Sequence, residues 1–426
     1  MTCPHAPRKT AVAAMILCCL AACQSPPDET SVDVGEGAGG GGSADGASVI
    51  PQPDPVDVAI DGATDAELKA FFAGDALFGV PLHEADGLGP LYTRSSCGGC
   101  HATGLRGPGS VQKMAVVLDD GVTTAPDQSK LPWGNTVHPL VTAGASTPIT
   151  PPDDPNVIVS IRVGPPIVGR GYMEAIDDAE ILRVAKEQAS RTDGIHGRIN
   201  QVVYGSEPNP DPTFNAHRKG DVLIGRFGLK ARIGTLDEFT ADALQGDMGI
   251  TSPLRPFEIA NPDGLADDDK PGVDVSAESV NRRAMYMRLT AIPRRSGLTE
   301  EGRGLFAQAH CDGCHVPSMK TREDYPIRLL AGVDAPVFTD MLLHDLGDAL
   351  ADGVIDGSAQ SRDWRTAPLI GLRFNKTFMH DGRALTIEEA ILLHDGPGSE
   401  AADSIARFRA LSDDGRAALL AFVRAL

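Results

Sequence analysis

One pentapeptide occurs twice in this chain, as Cys97-Gly98-Gly99-Cys100-His101 and as Cys311-Asp312-Gly313-Cys314-His315. Cys-x-x-Cys-His is the attachment sequence of c-type haem. Its two thiols become thioethers to the porphyrin, and the adjacent histidine meets one face of the ring as an iron ligand. Two copies predict two irons, with His101 and His315 as proximal ligands. Electron transfer, or redox chemistry fed by it, is the expectation. The competing reading is a zinc site built from the two thiol pairs. A histidine directly after each pair favours haem.

The cysteine inventory agrees. There are eight cysteines. Arg8 and Lys9 precede the apolar run Ala11 to Ala22, which is too short to span a bilayer as a helix. The run ends Leu20-Ala21-Ala22-Cys23, which resembles the lipobox of bacterial lipoproteins. That resemblance implies a signal peptide over 1–22, cleavage before Cys23 and lipidation of its thiol. Cys3, Cys18 and Cys19 leave with the peptide, Cys23 takes lipid, and the four remaining thiols are the two haem pairs. No disulfide is expected, although the compartment would be oxidising. Gln24 follows Cys23, which favours an outer-membrane, periplasm-facing location. Membrane attachment would be by the lipid alone.

Formal charge is −20 over 426 residues, and −22 once Arg8 and Lys9 are removed. Such a surface excludes nucleic acid as a partner, because phosphate binding needs a basic patch. A basic or weakly charged redox partner is easier to accommodate.

Residues 23–60 read as a flexible acidic tether rich in Gly and Pro, with too little apolar surface to fold. The remainder reads as an internal duplication. Thr64-Asp65-Ala66-Glu67 is a capping box opening a helix with Leu68, Phe71 and Phe72. Leu77-Phe78 precedes the first haem motif as Leu305-Phe306 precedes the second, on a helix capped by Thr299. Arg162 to Gly169 matches Arg365 to Gly371, and each is followed by a helix with an acidic start, at Asp177 and at Thr386-Ile387-Glu388-Glu389. The expected fold is mainly α, with two modules over 61–290 and 291–426. The first carries an irregular, β-containing insertion over about 102–160, in which Met114 to Leu118 reads as a strand. A closing helix from about Asp413, with Leu419, Leu420, Val423 and Leu426 on one face, is expected to pack on the first helix of its module. That arrangement resembles cytochrome c-like domains.

Function depends on the sixth position of each iron. A His or Met there makes an electron-transfer centre; an open position admits a small oxidant. For the second iron the candidates are His344, Met379, His380 and His394. His394 ends a predicted helix, where its ring can turn inward beside Ile391. For the first iron, His138 on the insertion is a candidate, and an open or water-filled position is the alternative.

The stretches Thr339 to Gly347, Trp364 to Leu372 and Met379-His380-Asp381-Gly382-Arg383-Ala384 resemble the di-haem oxidoreductive proteins, often labelled thiol oxidoreductases. Gly225-Arg226-Phe227-Gly228 and Asp247 to Pro253 match the same family. More distantly the pattern is similar to bacterial di-haem cytochrome c peroxidases and MauG-type enzymes. The resemblance implies two cytochrome c-like domains with unequal roles. The C-terminal haem, held by His315 and His394, would pass electrons to the N-terminal haem, where a small oxidant such as hydrogen peroxide is reduced with Asp247 as distal acid. It implies a small cytochrome or cupredoxin as donor. Some relatives hold calcium between the domains, and nothing in the sequence supports that here. The chain departs from the peroxidases in having Phe227 and Leu229 near their inter-haem Trp, Phe239 in place of Gln, and Asp in place of Glu. The rival function is an electron carrier or redox sensor with both irons six-coordinate. Action on a partner protein, as in MauG-type enzymes, is a third reading.

Overall fold

The computed structural model describes residues 57–142, 144–265 and 272–426. The expected signal peptide, the expected lipidation site Cys23 and nearly all of the expected tether lie outside the described residues. No helix among the described residues is long and apolar enough to cross a membrane.

Nine α-helices are present among the described residues: α1 (Asp65–Gly79), α2 (Arg170–Ala175), α3 (Asp178–Gln188), α4 (Leu236–Met248), α5 (Ala277–Leu289), α6 (Glu300–Gln308), α7 (Ile387–Leu392), α8 (Ala402–Ala410) and α9 (Asp413–Ala425). Most begin on a side-chain cap. Thr64 and Glu67 form a reciprocal capping box, Thr386 and Glu389 form another, and Asp177, Thr235, Ser276, Thr299 and Ser412 each accept a first-turn N–H.

The helices repeat one plan. In the first half α1 leads into the first haem motif and packs on α5; in the second half α6 leads into the second motif and packs on α9. Both crossings use a glycine four residues before a phenylalanine. A Cβ on Gly74 would stand 2.2 Å from the Arg282 carbonyl oxygen and 2.7 Å from Tyr286 Cβ. One on Gly302 would stand 2.5 Å from Phe422 Cβ. The bare backbones let each pair approach closely, and the following aromatic seals the contact. Phe78 lies 5.1 Å from the Tyr286 ring and Phe306 5.6 Å from Phe422.

Between these helices the chain is less helical than the sequence suggested. Ten short strands form five two-stranded antiparallel sheets among the described residues, and seven 3-10 turns punctuate the rest. The 32 prolines and 47 glycines of the chain are poor helix formers, so the long connections settle as turns and two-stranded ribbons. The insertion is closed by its longest ribbon, Ser110–Val116 against Val157–Val163, so the β-structure runs a few residues past the expected boundary.

The two halves share a core. One buried cluster joins Phe71, Tyr172, Met173 and Tyr286 to Met319, Leu330, Val337, Met341 and Ile370. A buried ionic knot lies across the same seam. Arg288 of α5 bonds Glu174 of α2 at 2.6 Å and lies 2.9 Å from Asp237 of α4, while Tyr325 of the second half donates to Glu174 at 2.7 Å.

Candidate redox site with two cavities and a common wall

Each pentapeptide folds into a 3-10 turn, Cys97–Gly99 and Cys311–Gly313, that presents both thiols and the histidine to one cavity. The first cavity has about 840 Å³ of space and is lined by Cys97, Cys100 and His101. The second has about 1680 Å³ and is lined by Cys311, Cys314 and His315. The four cysteines are free and divided between two cavities, so they do not converge on one zinc. Burial pushes the Cys100 thiol up to about 11 and Cys311 up to about 12.

The histidines are oriented for metal. His101 Nδ1 donates to the Pro165 carbonyl at 2.6 Å, and His315 Nδ1 donates to the Phe338 carbonyl at 3.2 Å. A backbone carbonyl on Nδ1 fixes the tautomer and leaves Nε2 as the unprotonated donor atom. Burial lowers both rings to about 4, so they are neutral at ordinary pH, as ligation requires. His394, just beyond α7, repeats the pattern: Nδ1 donates to Ala390 O at 2.7 Å, and the ring lines the second cavity. Its nearness adds to the lowering of His315.

The other candidates for the second iron also reach this cavity, with different duties. His344 spends Nε2 on Asp340 at 2.8 Å and Nδ1 on Glu400 at 2.7 Å; burial lowers its pKa, but the Cys314 sulfur and Asp340 outweigh burial and raise it well above the usual value. It is a buried cation in a carboxylate clamp. His380 stacks on Trp364 at 4.0 Å. Met379 lines the wall from a left-handed backbone, φ 66°, with its carbonyl taken by Arg106.

The first cavity is different. His101 is its one histidine and Asp247 its one carboxylate. Asp247 does not cap the turn at Gly249. That turn is closed by backbone alone, Gly249 N–H to Gln245 O and Ile250 N–H to Leu244 O, both at 2.9 Å. Burial raises the Asp247 pKa, Asp242 adds to it, and Lys113 and Arg232 oppose it. His138 does not reach this cavity. It is buried behind the end of α4, where its Nε2 donates to Gly246 O at 2.6 Å. The reach of the insertion is spent on closing the back of α4, and His138 is withdrawn as a ligand.

Phe227 faces the first cavity and Leu229 the second, with Gly228 between them. Pro165, Pro166, Arg170 and Arg365 line both cavities and form their common wall. The sequence assigned a role to neither arginine, nor to Gln188, which donates from one Nε2 to Gly313 O and Asp340, each at 2.8 Å. The Arg365 match to Arg162 was visible in the sequence, but the two diverge in place: Arg162 pairs with Asp352 and Asp356 instead.

A family described as di-haem oxidoreductase, putative peroxidase, matches residues 152–426. The chain belongs to that family. The match includes the second haem motif, His394 and Asp247, and begins after the first motif. No curated protein matches the chain. Among solved structures, the chain is similar to one titled Kuenenia stuttgartiensis hydrazine synthase pressurized with 20 bar xenon. The identity is 12%, the TM-score 0.37, and the overlap covers 95% of this chain and 100% of the other. An overlap of that quality does not establish a common fold. As a family member the chain is a di-haem oxidoreductase, and both cavities fit the group: each joins two thiols, a neutral histidine and apolar walls. Of the cluster Cys314, Asp340 and His344, the first and last line the second cavity and Asp340 stands behind His344.

Proposed function

We propose that the protein is an exported, lipid-anchored di-haem c-type enzyme of the peroxidase kind. Electrons from a small redox protein would enter at the C-terminal centre and leave at the N-terminal one to a small oxidant, most simply hydrogen peroxide. The observation that carries this reading is the unequal equipment of the cavities. The second offers a second histidine with a free Nε2, and the first offers a carboxyl instead.

Haem, when bound, supplies one-electron redox chemistry and, where a coordination position is open, a place to reduce a small oxidant. The chain does the rest. Cys97, Cys100, Cys311 and Cys314 hold the rings covalently. His101 would hold the first iron, and His315 and His394 would hold the second. Asp247 takes a proton from the entering oxidant and returns it to the departing oxygen, and its raised pKa suits both directions of transfer. Phe227, Phe239 and Leu236 keep the first cavity apolar and limit bulk water.

The carrier alternative keeps one observation in its favour: Met248 and Met287 line the first cavity and could close its iron through sulfur. Electron paramagnetic resonance of the half-reduced mature protein separates the two readings. A high-spin ferric signal from one centre supports the enzyme; wholly low-spin spectra before and after half-reduction support the carrier. Asp247→Ala is expected to lower peroxide turnover by about 10²- to 10⁴-fold. Normal turnover in that variant would remove Asp247 from the mechanism.

A further inference from the structure

The common wall holds two positive charges with no carboxylate in direct contact among the described residues; Asp340 acts on Arg365 only through its charge. Arg170 is 6% exposed and Arg365 7%. Three other arginines buried as deeply are paired with acids: Arg162 with Asp352 and Asp356, Arg226 with Asp178, Arg288 with Glu174 and Asp237; Arg283 is not, and lies against Ser279 and Cys97. Among the described residues, Arg170 and Arg365 form no such pair. Arg170 donates to Pro166 O and to Met173 Sδ, both neutral. Arg365 donates to Gly228 O at 3.2 Å and to Thr366 O at 2.8 Å.

Burying one unpaired cation costs several kcal/mol, and two facing the same space repel each other. Burial lowers Arg170 to about 9, with Arg365 adding to the effect, and lowers Arg365 to about 10, with Asp340 opposing in part. An anion brought into the cavities would relieve both. A guanidinium fork matches a carboxylate in geometry as well as in charge.

We propose that Arg170 and Arg365, standing in the wall between the cavities, are the receptors for haem propionate carboxylates. The inference rests on the haem reading above. Porphyrin chemistry narrows the choice of arginine. Thioethers form at the former vinyl carbons, and the propionates occupy the other half of the macrocycle. Arg283 also lines the first cavity without a carboxylate, but it lies against Cys97 and so belongs to the attachment edge. Arg170 and Arg365 instead touch both cavities at once. Propionates gathered there would turn the two rings edge to edge through Pro165, Pro166 and Gly228, and would set both reduction potentials from one pair of charges.

A crystal structure of the mature holoprotein tests this without mutation. Propionate oxygens within hydrogen-bond distance of both guanidinium groups, about 2.7–2.9 Å for charge-assisted bonds, are expected. Propionates turned to solvent, or held by Arg94, Arg106 or Arg283 instead, would overturn it. Redox titration gives a second reading. Arg170→Gln and Arg365→Gln each remove a cation near the rings. Each is expected to lower the reduction equilibrium constant of at least one haem about tenfold, or 59 mV for a one-electron couple. Arg170→Lys and Arg365→Lys should stay close to the parent. Gln variants that keep both haems and both potentials would refute the assignment. A chain that carries no haem would refute the earlier reading, whereas haem with its propionates elsewhere would refute this inference alone.

Discussion

Asp247 stands in the last turn of α4, at the negative end of the helix dipole. That field and burial both favour the neutral acid. The folded state therefore holds this proton more tightly than the unfolded chain does, and stability falls as pH rises through the raised pKa. Two outcomes follow. Peroxide turnover should lose activity on the acid side with an apparent pKa above the ordinary carboxylate range, because the ionised form must accept the oxidant's proton. Asp247→Asn should abolish that limb and raise the thermal midpoint at neutral pH, the exchange of activity for stability expected when a buried charge is removed from a site. A variant that is both inactive and less stable would assign Asp247 to the scaffold. His101, His315 and the position of His394 were legible in the sequence, since motif and helix end determine where those rings stand. Arg170 and Arg365 were not. Their meaning lies in missing carboxylate partners, and only the folded chain shows which arginines go unpaired. His138 was one open alternative for the first iron, and the sequence could not exclude it, because a histidine's partner across a fold is invisible along the chain.

At the scale of elements, the repeated crossing of α1 on α5 and of α6 on α9 sets where each haem motif begins. Gly74→Ala and Gly302→Ala should each destabilise by about 1–3 kcal/mol through overpacking, read as a fall in denaturant midpoint at constant slope. Between the crossings, the knot of Arg288, Glu174, Asp237 and Tyr325 ties three helices to the second half. The charge rests on Glu174, which Arg288, the Leu236 N–H and Tyr325 all stabilise, while burial and that neighbour's charge push the Asp237 carboxyl up. Arg288→Leu leaves both acids without their cation. The expected cost is about 3–5 kcal/mol, with equilibrium unfolding as the check. The capping residues Thr64, Thr299, Asp177 and Thr386 were readable in sequence and open the helices expected of them. The ribbons between were only partly readable: pairing of Ser110–Val116 with Val157–Val163 is a long-range choice that local pattern does not specify.

At the scale of the molecule, one helical plan occurs twice over a continuous core, with different cavities. The repeat was visible as matched pentapeptides and Leu-Phe pairs; the shared core was not, because Met319, Leu330 and Met341 look like core residues of their own half and pack against the other. Covalent haem in both cavities underlies every role given to these residues. Its most direct check is the intact mass, under denaturing conditions, of mature protein from a host competent for cytochrome maturation. The expected value is the polypeptide mass plus two haems, falling by one haem when either His-linked cysteine pair is changed to serine. A colourless protein with the bare polypeptide mass would rule out haem in either cavity.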